Sequence, residues 1–236
     1  FENEFIKKIN FFDNDKFQVD LSTDNWPFFY MPVKILPKSY IFILLIIFVC
    51  SFLFIKKTSS MNRKNFSITC FFLGAGFMLV ETKCITEIAK IYGSTWMVTS
   101  FVIAAILIMA FIANILVIKK IKLNILQIYL FLFFSLFVGY YSSSLGFYLL
   151  DVKILNLLLP IVLTLPILFS GLAFSKEISN LKSASQALSA NILGAMLGGF
   201  LEYNSMYFGL SSLYILAGLL YFFAFICYYY KYKTIF

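Results

Sequence analysis

The chain has 236 residues, 61% hydrophobic, 20% aromatic and only 13% charged, with a formal net charge of +8 and a mean hydropathy of +0.91. A soluble domain is nearer half apolar and a quarter charged, so thirty phenylalanines and fifteen tyrosines in repeated apolar blocks indicate a polytopic membrane protein whose first partner is the lipid bilayer. The basic excess lies in short loops rather than in a stripe suited to nucleic acid, and the absence of histidine excludes histidine metal sites and Ser-His-Asp or Cys-His catalysis.

Residues 1–38 differ in character from the rest, with six acids and five lysines. FENEFIKKINFF alternates charged and apolar residues as a short amphipathic helix would, and FQVDLSTDNWPFFYMPVKILP reads as a strand or extended segment leading into a proline-punctuated linker. Alone this stretch is too short for a stable domain. The expectation is therefore the C-terminal tail of an upstream soluble domain over 1–38, on a chain that starts at Phe1, followed by a transmembrane domain over 39–236.

A span needs about twenty apolar residues, which predicts an all-α bundle of seven helices near 39–55, 66–89, 95–117, 124–145, 153–174, 185–207 and 210–230. Alternate loops on one side collect eleven basic residues: Lys56, Lys57, Arg63, Lys64, Lys119, Lys120, Lys122, Lys176, Lys182, Lys231 and Lys233. The other side collects four, Lys34, Lys38, Lys90 and Lys153. The positive-inside rule then places the C-terminus in the cytoplasm and residues 1–38 outside it, in a membrane of the bacterial inner-membrane type.

The second span carries charge: FFLGAGFMLVETKCITEIAK, residues 71–90. Lys83, Glu87 and Lys90, at i, i+4 and i+7, share one face and read as a self-compensating ladder at a helix end. Glu81 points the other way, above Gly74 and beside Phe77 and Met78, where an acid within the membrane is costly unless paired or hydrated. In the fifth span Pro160 and Pro166 are expected to kink the helix, and Ser142, Ser143, Ser144 and Gly146 before it read as a turn. In the sixth span Asn191, Gly194, Gly198 and Glu202 lie along one stripe. Gly194-x-x-x-Gly198 is a small-xxx-small pattern that lets another backbone approach closely. A glycine-lined contact between the second and sixth spans would bring Glu81 and Glu202 to one acidic site, with Lys83 and Asn191 as further ligand-binding candidates, suited to a small cationic or polar solute. The four cysteines sit in apolar segments and read as small buried hydrophobes. LGAMLGG follows no strand and lies within a span, so no dinucleotide or other cofactor site and no catalytic residue is expected in this chain.

Three blocks carry a resemblance. STDNWPFFY at 22–30, GAGFMLVETK at 74–83 with GSTWMVTS at 93–100, and NILGAMLGGFLEY at 191–203 resemble, in order, segments of spermidine-synthase-like domains fused to multi-span membrane proteins. The resemblance implies an aminopropyltransferase- or methyltransferase-like domain upstream of Phe1, holding whatever catalytic residues there are. The charge count places residues 1–38 outside the cytoplasm, away from S-adenosylmethionine-type cofactors, which conflicts with an active domain of that kind. The leading expectation is a membrane domain that binds or transports a small solute. Its rivals are an anchor for an upstream enzyme and a structural subunit that contacts partner membrane chains.

Overall fold

The computed structural model describes residues 19–36, 38–58, 67–120, 122–144, 153–181 and 183–233. Seven long helices follow one another: α1 Lys38–Thr58, α2 Ile68–Tyr92, α3 Trp96–Ile118, α4 Ile125–Ser144, α5 Lys153–Asn180, α6 Ala184–Leu201 and, after a 3-10 turn at Glu202–Asn204 and the four-residue α7 Ser205–Phe208, α8 Ser212–Lys233. Among the described residues six helices are long and apolar enough to cross a membrane, α2 to α6 and α8; the apolar part of α1, Lys38–Cys50, is shorter. No strand occurs among the described residues, and the stretch expected to be extended contributes one β-bridge, Thr23 to Trp26. The amphipathic helix expected in FENEFIKKINFF lies outside the described residues.

Helix α2 is the hub, packed most extensively on α6, then on α8, and also on α5 and α3. Its ends are set locally. Ser67 caps the start by accepting a bond from Cys70 N–H at 3.3 Å, and Gly93, at φ +90°, ends the helix in a conformation that L side chains rarely adopt. Twenty-five residues at about 1.5 Å each give a helix of roughly 38 Å, longer than a hydrocarbon core of about 30 Å.

The core between α2, α4, α5 and α8 is apolar and aromatic, built from residues such as Leu79, Val80, Ile128, Leu132, Leu163, Ile167 and Ala217. By contrast α3 is largely exposed, with Phe101, Leu107, Ile108 and Phe111 facing outward, as suits a helix whose solvent is lipid. Helix α1 touches the bundle mainly through Tyr40, whose hydroxyl donates to the Phe200 carbonyl and whose ring lies 4.5 Å from that of Tyr203.

Helix α5 runs unbroken through Pro160 and Pro166. The backbone around them finds side-chain partners: Thr164 Oγ1 donates to the Pro160 carbonyl at 2.9 Å, and the Cys84 thiol of α2 donates to the Leu163 carbonyl at 2.9 Å. Helix α5 also extends six residues past its expected end at 174, and α4 continues through Ser144 where a serine turn was expected. Cys70 and Cys84 are buried, whereas Cys50 is exposed on α1, contrary to the expectation of uniform burial.

The two ends of the bundle differ. Ser67, Glu177, Lys231 and the Lys119–Lys122 loop gather at one end, here termed the Ser67 end. At the other, the Trp26 end, Asn25 and Trp26 of the segment before α1 bond to the α6–α8 connection. Trp26, only 2% exposed, donates its indole N–H to the Met206 carbonyl at 2.6 Å. The Asn25 side chain accepts from both the backbone N–H and the hydroxyl of Ser211, at 2.7 Å each. Gly209, at φ +84°, makes the turn, and a Cβ there would press on Asn25.

Candidate functional site

The α2–α6 contact is made by missing side chains. A Cβ added to Gly74 would overlap the carbonyl of Asn191, one on Gly194 the carbonyl of Phe71, and one on Gly198 the carbonyl of Ala75. Backbone therefore lies on backbone along three successive turns, and the two helices run parallel. The pairing continues past Gly198 to the Trp26 end, where Thr82 Oγ1 of α2 donates to Glu202 Oε2 at 3.3 Å. Glu81 adjoins Thr82, one turn beyond Met78, whose Cβ packs at Gly198. Both acids are half-buried. Among the described residues neither lies within ion-pair distance of a lysine or arginine.

The other sequence candidates lie apart from this pair. Asn191 sits eleven residues before Glu202, about 16 Å down the helix. There it lines a separate small cavity with Asn114, Ser170 and Ser175, near 240 Å³.

Lys83 belongs elsewhere. The expectation of a ladder at an ordinary helix end is corrected by its burial: Lys83 is 0% exposed and Glu87 3%. Lys83 Nζ pairs with Glu87, Lys90 Nζ lies 2.9 Å from the same oxygen, and Ser143 Oγ of α4 donates to it at 2.8 Å. Lys83 Nζ also stands 5.5 Å from the centre of the Tyr214 ring of α8. The physical reason is that Ser143 of α4 and Tyr214 of α8 close over Lys83 and Glu87, so these two charges are sealed between helices while Lys90 stays partly exposed.

Sequence reasoning missed a second buried acid. Glu177 of α5 is 0% exposed, takes a bond from Ser67 Oγ at 3.1 Å, and pairs with Lys231 Nζ of α8 at 2.6 Å. Twenty residues of α2 separate Ser67 from Glu87, about 30 Å along the axis, so the two buried clusters sit near opposite faces of the hydrocarbon core. The signal for Glu177 would have been an acid continuing the helical register of the fifth span.

Chemically the molecule thus holds two kinds of acid. Glu87 and Glu177 are neutralised by lysines on neighbouring turns or helices and tie elements together. The glycine contact brings Thr82, the neighbour of Glu81, to Glu202; Glu81 and Glu202 carry no cation partner among the described residues and are partly accessible. Such carboxylates in a membrane must be met by hydration, a proton or a cation. Among the described residues no group of three or more histidine, cysteine or acidic side chains is placed to hold a metal. Compared with known proteins, the chain matches no family model, no curated protein and no solved structure.

Proposed function

We propose that this chain is the membrane domain of a spermidine-synthase-like multi-span protein that binds or transports a small cationic or polar solute at Glu81 and Glu202. The observation that supports the reading is the difference in pairing. Glu87 and Glu177 have lysine partners, whereas Glu202, which Thr82 of α2 reaches, and Glu81, next to that threonine, have none within ion-pair distance among the described residues. In the proposed orientation the Ser67 end, with its lysine-rich loops, faces the cytoplasm of a bacterial inner membrane, and the acidic pair opens towards the outside.

Putrescine serves as a probe cation. Equilibrium dialysis against the full chain in phosphatidylcholine nanodiscs should show saturable binding, weakened about tenfold or more in Glu81→Gln and in Glu202→Gln, since a bond to a charged group contributes about 1.5–3 kcal/mol. Binding that survives both substitutions at normal expression, or no binding by the unaltered chain, overturns the reading of the pair as a cation site.

A second reading has its own observation. The Asn25 and Trp26 bonds hold the segment before α1 against the α6–α8 connection, at Met206, Leu210 and Ser211. That attachment suits a bundle that anchors an upstream transferase-like domain or presents a membrane substrate to it. Trp26→Ala would then loosen that domain without changing putrescine binding.

A further inference from the structure

At the Ser67 end a cavity of about 240 Å³ opens between the ends of α3 and α5 and the start of α4. Its walls are of two kinds. Val117, Ile128 and Leu172 form an apolar side, while Lys120, Lys176 and Ser179 supply the polar side. Such a division suits an amphiphile better than a free ion or an apolar molecule.

The two lysines are held differently. Lys176 projects from the last turns of α5 and donates to the Leu123 carbonyl, which fixes its ammonium at the α3–α4 loop. Lys120 lies in that loop at φ +51°, in the left-handed region, and closes the turn by donating its N–H to the Val117 carbonyl at 2.9 Å. A non-glycine residue held there is unusual and directs the side chain from a backbone that few residues adopt. Among the described residues no carboxylate forms an ion pair with either lysine, and the neighbouring Glu177 is turned away to Ser67 and Lys231. Lys119 and Lys122 flank the loop, and Ile118 and Leu126 at the adjoining helix ends are exposed. The position is headgroup depth: α3, a span by length and composition, ends at Ile118, two residues before Lys120.

From this arrangement we infer that the cavity is a binding site for the phosphate of an anionic phospholipid, with Lys120 and Lys176 as its cationic ligands and the acyl chains laid over the exposed ends of α3 and α4. Basic pockets between spans at the lysine-rich face of a membrane protein bind such headgroups because the charge is met at the depth where the phosphate lies. The inference is independent of the acidic pair, which lies at the other end of the bundle.

Native mass spectrometry of the full chain in detergent tests it, with phosphatidylglycerol, phosphatidylcholine and inorganic phosphate as separate probes. One phosphatidylglycerol should be retained in preference to phosphatidylcholine. Two lysines at about 1 kcal/mol each imply that Lys120→Gln with Lys176→Gln lowers this affinity about thirtyfold. Lys119→Gln with Lys122→Gln, which removes equal charge from the same loop outside the cavity, should change it far less, because neither side chain lines the cavity. Should the first pair fail to fold, Lys120→Gln alone alters an exposed side chain and should still cost about fivefold. Equal retention of phosphatidylcholine, equal loss in the Lys119/Lys122 control, or displacement of the lipid by millimolar inorganic phosphate would each overturn the assignment: the first to a charge-specific site, the second to this cavity, the third to a lipid rather than a free anion.

Discussion

Two acids on the same helix, six residues apart, meet opposite fates. Glu87 is held by two lysines of its own helix and by Ser143 of α4, whereas Glu81, beside the Thr82 that reaches Glu202 of α6, has no cation within ion-pair distance among the described residues. The difference teaches how a helix in lipid can carry charge for two purposes. A face covered by two helices can bury a charge only if its counter-charge is buried with it, because an uncompensated ion in that environment costs several kcal/mol. A face that meets glycines brings backbones close but leaves its polar end free to be completed from outside.

The comparison breaks most severely at Lys83. Replacing it with Met removes the fully buried partner of Glu87 and leaves Ser143 and the partly exposed Lys90; stripping one member of a buried pair costs about 3–5 kcal/mol, and the remaining partners hold the loss to the lower end of that range. Unfolding in mild detergent should show that loss, and Lys83→Met combined with Glu87→Met should recover most of it. The double replacement being as unstable as the single one would show that the pair itself, not the uncompensated charge, matters.

Next in size is the glycine contact. Gly194→Ala places a methyl group on the Phe71 carbonyl, which α2 can relieve only by moving its backbone, for a loss of about 1–3 kcal/mol. The same substitution should separate Thr82 from Glu202. Gly199→Ala is the control, since a Cβ there meets nothing within 4 Å, and relief of glycine's backbone entropy should stabilise that helix by about 0.5–1 kcal/mol.

Ser67→Ala sharpens the account of the second paired acid. It removes both the cap of α2 and a donor to Glu177, and a lost cap alone costs about 0.5–2 kcal/mol. Hydrogen exchange should quicken in the first turn of α2 and leave the Glu87 end unchanged. The smallest effect is expected at the unpaired acids: Glu81→Gln and Glu202→Gln should each change stability by less than about 1 kcal/mol, because neither breaks an ion pair among the described residues.

The helices were legible because apolar blocks near twenty residues in length have few alternatives in a membrane, and the α2–α6 contact was legible because glycines at helical spacing announce close approach. The charged residues were less so. Lys83, Glu87 and Lys90 form the same i, i+4, i+7 pattern whether they end a helix in water or lie sealed in its core. What decides between the two is Ser143 and Tyr214, which are remote in sequence. Glu177 was hidden in the same way: its partners lie 110 residues earlier and 54 later, and SKEIS reads as the beginning of a loop until α5 is seen to carry on through it. Local pattern announced the elements, whereas burial of charge depended on which elements covered which.

The central claim is that the acids of this bundle divide into a paired set and an unpaired set. Dicyclohexylcarbodiimide, which enters membranes and forms stable adducts with carboxyl groups that lack a cation partner, distinguishes them in one measurement. Peptide mass mapping of the full chain, labelled in phosphatidylcholine vesicles, should find adducts at Glu81 or Glu202 and none at Glu87 or Glu177. Labelling of Glu87 or Glu177 with Glu81 and Glu202 untouched would contradict the account.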